Sequence, residues 1–293
     1  MRAARIHEYG GPATIRLDEI PTPVPGPGEV LIHVTATSLN PTETALRSGR
    51  LAELLPITLP VTLGWDVAGT VDGEPFVGML PSGAAAEFAV AAPETLVPAP
   101  AAIPLADAAA LPLAGMTAWQ AVTEHTRIAP GERVLINGAG GGIGGYAVQL
   151  AKHAGASVLA TASARSAATV RGLGADEVHD YTAGPPAVGA PVDVVLNCAA
   201  IEPAAAAALV PLVRRGGRIV TVATPVEAAE ESGVTAWHMI TRNDPADLAA
   251  LVRLVDAGVL RPVITARRTL ADLPELHRLA ESGGIHGKVI VRP

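Results

Sequence analysis

Apolar and polar positions follow two different rhythms along this chain. Over the first hundred residues, short β-branched or alternating runs such as 30–35 and 86–90 stand between Pro- and Gly-rich stretches, a pattern that predicts short strands joined by long turns. From about Glu132 the rhythm changes. Apolar runs at 133–137, 157–161, 177–179, 192–196 and 218–222 alternate with helical segments that end near Lys152 and cover 165–173 and 202–213. Strands alternating with helices of that length predict a parallel sheet covered on both faces. Beyond Asp244 the spacing predicts two amphipathic helices, 246–257 and 273–281, and a last strand at 288–291 that returns to the mostly β part. The stretch 96–122 is nearly free of charge, but Asp107, Pro98, Pro100, Pro104 and Pro112 interrupt it. A linker leading into a buried helix is expected there rather than a membrane span.

Within the alternating region an apolar strand, a glycine turn and an apolar-periodic helix follow without a break: Val134-Leu-Ile-Asn-Gly-Ala-Gly-Gly-Gly-Ile-Gly-Gly-Tyr-Ala-Val-Gln-Leu-Ala-Lys152. That succession is the context a dinucleotide fingerprint needs. A turn without side chains lets backbone N–H groups approach a pyrophosphate, and the helix behind it offers unpaired donors and a positive dipole end. Two registers are open: the literal G-x-G-x-x-G at Gly140, Gly142 and Gly145, or one beginning at Ala139 that places the key glycines at 141 and 144.

The end of the second strand bears on which dinucleotide is held. NAD sites usually place an Asp or Glu there for the ribose hydroxyls, and such a carboxylate would repel a 2′-phosphate. Here the segment reads Val158-Leu-Ala-Thr-Ala-Ser-Ala-Arg165, with Ser166 and Arg171 beyond it. Hydroxyl and guanidinium at Ser163 and Arg165 suit a phosphate, so NADPH is the expected cofactor; an ordinary solvated helix start is the competing reading of Arg165.

Composition narrows the classes further. At 293 residues the chain is long enough for two domains, and 49% hydrophobic residues with only 3% aromatic imply a core of small side chains. Each ring near a pocket, Trp65, Trp119, Tyr181 or Trp237, therefore gains weight as a lining residue, although core filling also accounts for each. A net charge of −7 argues against nucleic acid and anionic membranes as partners. The one cysteine, Cys198, excludes an intramolecular disulfide and a cysteine-based structural zinc cluster, and the first residues lack an apolar signal core. A cytoplasmic protein acting on a small molecule is expected.

Further segments carry a resemblance. Pro25-Gly-Pro-Gly-Glu-Val-Leu-Ile32, Asn40-Pro with Leu46-Arg-Ser-Gly49, Leu63-Gly-Trp-Asp-Val-Ala-Gly69, Leu111-Pro-Leu-Ala-Gly-Met-Thr-Ala-Trp119 and the glycine loop follow one another in order. So do Gly172-Leu-Gly-Ala-Asp176, Gly216-Gly-Arg-Ile-Val220, Asp256-Ala-Gly-Val-Leu-Arg-Pro262 and Gly287-Lys-Val-Ile-Val291. Together they resemble a zinc-independent member of the medium-chain dehydrogenase/reductase superfamily, close to the quinone oxidoreductase group. The resemblance implies an α/β fold: a GroES-like mostly-β domain (1–108), a Rossmann-type doubly wound parallel-sheet NADPH domain (109–256), and a C-terminal segment (257–293) returning to the first domain, with the active site between domains. It implies that Asn40 and Thr117 face the nicotinamide, that Gly141, Gly142, Ile143 and Gly144 form the pyrophosphate loop, and that Tyr181 packs at the 2′-phosphate. For Tyr181 a plain surface-turn aromatic is the competing reading.

Metal chemistry has little to work with. The family's Gly-His-Glu zinc element would fall at Gly64-Trp65-Asp66, where Trp cannot ligate, and the eight histidines form no cluster in sequence. Hydride delivery to a quinone or to the β-carbon of an activated alkene then relies on positioning and on hydrogen bonds from backbone amides or the Asn40 carboxamide to the developing oxyanion. Asp66 is expected to hold a turn rather than act as an acid. Two departures touch the substrate end: Ala45 stands where quinone oxidoreductases often carry an aromatic residue, and the segment between 68–78 and 82–88 is short, so Ala45 and Trp65 are the expected pocket residues. Alternatives are an enoyl or enone reductase of a biosynthetic pathway, or a low-turnover NADPH-binding sensor or structural protein. The segment 233–240 resembles the edge strand through which relatives dimerise, and a homodimer is expected.

Overall fold

In the computed structural model, which describes residues 1–55, 57–186 and 188–293, the chain forms two compact units. One comprises Met1–Ala114, Asn243–Gly258 and Pro262–Pro293; the other comprises Gly115–Arg242 and Val259–Arg261.

The first unit begins with strands β1 (Arg2–Ile6), β2 (Ile15–Glu19) and β3 (Val30–Ser38), followed by helix α1 (Pro41–Arg47). Strands β4 (Val61–Thr62), β5 (Asp66–Val71), β6 (Glu74–Met79), β7 (Phe88–Ala91) and β8 (Leu96–Pro98) come next, then helix α2 (Leu105–Ala108) and the start of α3 (Pro112–Gln120). β3 is nine residues long and pairs antiparallel with β5 and β7, which makes it the spine of the larger sheet. The alternation at 30–35 has its physical cause there: Ile32 and Val34 point into a core shared with Val67, Leu80 and Ala89, while His33 faces out and stacks on Phe88 with ring centroids 5.0 Å apart.

The second unit is strand and helix in alternation: β9 (Arg133–Asn137), α4 (Gly142–His153), β10 (Ser157–Ala162), α5 (Ala164–Gly172), β11 (Glu177–Asp180), β12 (Val192–Asn197), α6 (Pro203–Ala207), β13 (Val213–Thr221) and β14 (Thr235–His238). Among the described residues these strands form one sheet in the order β11-β10-β9-β12-β13-β14, every neighbouring pair parallel. Its strands are β-branched and buried on both faces, with Val134, Ile136, Val158, Val194, Val195 and Ile219 at 0% exposure or nearly so. The helix expected over 202–213 is instead α6 followed by a single 3-10 turn, Val210–Leu212, before β13 begins. Pro211 lacks the N–H that would bond back to Ala207 O, so an α-helix cannot run on through it.

The chain then returns to the first unit through α7 (Pro245–Asp256), β15 (Ile264–Thr269), α8 (Leu273–Glu281) and β16 (Lys288–Arg292). β16 lies antiparallel to β3, with Ile290 opposite Ser38 and Val291 opposite Thr37, so the last strand does join the larger sheet of the first unit, between β3 and β15. α8 buries Leu273 and Leu276 against Ile6, Leu39, Leu46 and Val289. The units divide at 114 and 242 rather than at the expected 108 and 256. Leu113 N donates to Asp66 at 2.8 Å, Asn243 Nδ2 donates to Met79 O at 2.9 Å, and Asp256 accepts from Ala102 N at 2.9 Å, which ties 109–114 and α7 to the first unit. Among the described residues no helix is long and apolar enough to cross a membrane.

Candidate functional site

The carboxyl ends of β9, β10 and β11 bring together the glycine turn, the Ser163–Arg165 segment and Tyr181. β9 ends at Asn137, and Gly138 turns the chain with φ +84, a conformation that an L side chain resists. Helix α4 starts at Gly142 with Gly141 as its extended N-cap, and the first i→i−4 bond runs from Gly145 N to Gly141 O at 3.1 Å. The N–H groups of Gly142, Ile143 and Gly144 precede that bond and face out of the helix end. Gly144 packs the helix against the turn: a Cβ there would lie 2.6 Å from Ala139 Cα and closer still to Gly138 O. A Cβ on Gly141 would meet only Gly138 O, at 3.4 Å. The geometry therefore follows the register beginning at Ala139, with Gly141 leaving room for a ligand and Gly144 for the backbone. Ala139 is buried, at 1% exposure. Gly140 lies against Ser166 Oγ, so Ser166 supports the turn from below and is itself buried.

Ser163 is the N-cap of α5 and its hydroxyl makes no capping bond; Arg165 is exposed in the first turn of that helix. Arg171 sits in the last turn of the same helix, six residues on and about 9 Å further along the axis. Tyr181 is half exposed and follows β11, whose last residue, Asp180, is the register partner of Ala162. Asp180 Oδ1 accepts from Thr182 Oγ1 at 2.7 Å and Thr182 N at 2.9 Å, bonds that hold its carboxyl below the usual range and turn it to its own loop. The end of β10 carries no carboxylate. The cradle thus fits a dinucleotide, with open glycine backbone and a helix N-terminus for the pyrophosphate and a hydroxyl and a guanidinium beside them.

A buried side-chain network underlies this turn, and the sequence reading did not single it out. Thr161 Oγ1 donates to Asn137 Oδ1 at 2.7 Å and accepts from Gly138 N at 2.9 Å; Asn137 Nδ2 donates to Asn197 Oδ1 at 2.8 Å. No motif links these three residues, because each lies at or one residue before the end of a different strand and only the sheet order makes them neighbours. Cys198 follows Asn197, and burial pushes its thiol up to about 12, which keeps it un-ionised at neutral pH.

In the first unit Asn40 sits between β3 and α1 at 3% exposure. Its Nδ2 donates to Asp66 Oδ2 at 2.8 Å and contacts Ser38 O and Glu43 Oε1 at 3.3 and 3.4 Å, and its Oδ1 accepts from Lys288 Nζ at 2.7 Å. The carboxamide is committed at both ends, and the oxyanion donation expected of it does not fit these bonds. Asp66, at 0% exposure, is the hub: it accepts from Ser38 Oγ, Asn40 Nδ2, Lys288 Nζ and, through Oδ1, Leu113 N. It holds the first turn of α3, the structural role expected for it. Glu43 closes the group by accepting from Asn40 N at 3.2 Å, and its burial, with the Asp66 carboxylate nearby, pushes its carboxyl up to about 8 against the pull of Lys288. The Asn40-x-x-Glu43 spacing is a capping-box signal for this contact. Nothing in the sequence signals Lys288, a cation at the head of an apolar strand that pairing with β3 carries inside.

Of the remaining candidates, Thr117 is buried on α3, and its Oγ1 shares a 2.6 Å hydrogen bond with Thr241 Oγ1. Ala45 lies half-buried on α1, and Trp65 is half-buried against the cluster containing Leu39, Leu46 and Leu63, its Nε1 buried with no partner among the described residues. Asn40, Ala45 and Trp65 belong to the first unit; Thr117 and the cradle belong to the second. Trp65 offers no ligand atom, and among the described residues no three His, Cys, Asp or Glu side chains are grouped as a metal site would need.

Comparison with known proteins agrees with this architecture. A family model described as alcohol dehydrogenase GroES-like domain matches residues 26–78, and one described as zinc-binding dehydrogenase matches residues 173–291. The chloroplastic quinone-oxidoreductase QR1 of Triphysaria versicolor is 33% identical over 100% of this chain and 98% of its own length. The solved quinone oxidoreductase of Coxiella burnetii is 30% identical with a TM-score of 0.93, covering 100% of this chain and 99% of that one. A mycobacterial protein solved in complex with NADPH is 26% identical with a TM-score of 0.87, covering 100% of both chains. This oxidoreductase chain belongs to the medium-chain dehydrogenase/reductase superfamily, in its quinone oxidoreductase-like group.

Proposed function

We propose that the chain is an NADPH-dependent, zinc-independent reductase that delivers hydride to a quinone or to the β-carbon of an α,β-unsaturated carbonyl compound. The observation that carries the cofactor half is the end of β10, where Ser163 and Arg165 stand beside the glycine turn and no carboxylate opposes a 2′-phosphate. The relatives' names carry the acceptor half. Bound NADPH supplies the hydride. The backbone amides of Gly142, Ile143 and Gly144 hold the pyrophosphate, Arg165 and Ser163 the 2′-phosphate, and Tyr181 packs beside them. Thr117 and Asn40 carry over from the family as nicotinamide-facing residues, Asn40 supplying a fixed wall because its carboxamide is already bonded. Trp65 and Ala45 are the substrate-side residues, Ala45 leaving space where relatives carry a ring. Charge on the substrate carbonyl is then met by backbone N–H groups and the proton comes from water.

The test is consumption of NADPH and of NADH by the purified chain across a panel of quinones, enones and enals, with and without a metal chelator. Turnover with NADPH, slower with NADH and unchanged by chelation, is expected. Tight NADPH binding without turnover on any acceptor would replace the reductase by a sensor, and recovery of a chelated, inactive chain by zinc would overturn the metal-free reading.

A further inference from the structure

The polar network under the glycine turn has a direction that can be read from its ends. Gly138 N and Ala199 N are backbone N–H groups and can only donate. Because Gly138 N–H donates to Thr161 Oγ1, that hydroxyl turns its own hydrogen to Asn137 Oδ1. Asn137 must then present Nδ2 to Asn197, whose Oδ1 accepts it and also accepts Ala199 N–H at 3.3 Å. Both carboxamides are thereby fixed, since flipping either would set donor against donor or acceptor against acceptor.

The price of this arrangement falls on Asn197. Its Nδ2 is buried without a partner among the described residues, on a side chain at 0% exposure. Buried donors are seldom left unmade, and an apolar side chain of similar size would avoid the loss. The useful half of the residue is Oδ1, the terminal acceptor of the whole chain. Through it the loop after β12 and the turn after β9 are held together: Ala199 lies against Gly138, where a Cβ would come within 2.9 Å of the Ala199 Cβ. β9 and β12 are neighbours in the sheet with Asn137 opposite Asn197, while the chain itself continues from β9 to β10 on the other side. The network therefore spans the point where the sheet order reverses, the place at which open α/β sheets bind their ligands.

We propose that Asn197 is a positioning residue for the dinucleotide cradle: without touching the ligand it holds the Gly138 turn in its binding shape through Asn137 and Thr161, and so sets affinity for the pyrophosphate common to NADPH and NADH. This rests on the dinucleotide reading of the same strand ends. Its effect is distinct from that of Arg165, because the pyrophosphate does not differ between the two cofactors.

Dissociation constants of NADPH and NADH, measured by calorimetry on the full chain, test it together with the melting temperature of the unliganded protein. Asn197→Leu is expected to weaken both cofactors alike, by about tenfold, and to lower Tm as well, because Asn137 Nδ2 and Ala199 N lose their acceptor. Thr161→Val cuts the same chain at its other end and is expected to do the same, and the double variant to bind no worse than the weaker single one, since one broken chain cannot be broken twice. Should Asn197→Leu fail to fold, Thr161→Val carries the test alone. Unchanged affinities, losses that add in the double variant, or a loss confined to NADPH would overturn the proposal. Failure of the unsubstituted chain to bind either cofactor would overturn the dinucleotide reading itself.

Discussion

Arg165 shows how much one residue can decide. It stands in the first turn of α5, beside a serine whose hydroxyl makes no capping bond and at a strand end without a carboxylate. On the proposed NADPH reading, a charge-assisted bond from its guanidinium to a 2′-phosphate would contribute about 1.5–3 kcal/mol. Arg165→Ala is therefore expected to weaken NADPH by about 10- to 100-fold, with NADH little changed, in paired binding titrations. Equal losses for the two cofactors would remove Arg165 from that role. Arg165, Ser163, Tyr181 and the glycines could be proposed from the sequence because they lie within a few residues of a strand end that the pattern itself marks. Lys288 and Asn197 could not, because the side chains they meet lie far away in the chain, whereas Glu43 carries a signal in its capping-box spacing from Asn40. The Lys288 ammonium meets Asn40, Leu39 and Asp66 only after the last strand has paired with β3.

Elements proved more legible than residues. β9 runs over Arg133–Asn137 and α8 over Leu273–Glu281, the bounds that periodicity alone predicts. The helix expected over 202–213 failed at Pro211, whose missing N–H outweighs the helix preference of the alanines before it. β14 occupies one edge of the parallel sheet, paired with β13 on one side, and Trp237 and Ile240 are exposed there, at 41% and 81%. An apolar edge strand is a template for pairing with a second copy. Light scattering is expected to give twice the 29.7 kDa chain mass, and Trp237→Lys, which puts a charge on that edge, to shift it toward the single chain. A single-chain mass for the unsubstituted protein would refute pairing through β14.

At the scale of the whole molecule, the buried group around Asp66 couples folding to pH. Glu43 titrates near 8 in the folded chain against an ordinary value of 4.5, so between those values the folded state keeps a proton that the unfolded chain has released. Its contribution to stability is full below about pH 4.5 and is lost as pH rises toward 8. Urea unfolding at pH 5 and pH 8 is expected to show that decline, and Glu43→Gln, which is neutral throughout, to flatten it; equal declines in the two proteins would exclude Glu43 as the cause. The sequence by itself determined the alternation of strands and helices, the glycine turn, the basic strand end beside it and the absence of a zinc ligand at Trp65, since each depends on neighbours within a few residues or on the chemistry of one side chain. Tertiary structure alone decided that α7 joins the first unit, that Asn40 spends its carboxamide on Asp66 and Lys288, and that Asn137, Thr161 and Asn197 form one directed chain. Those facts depend on which strands become neighbours in a sheet, and strand order follows from long-range packing that no local period records.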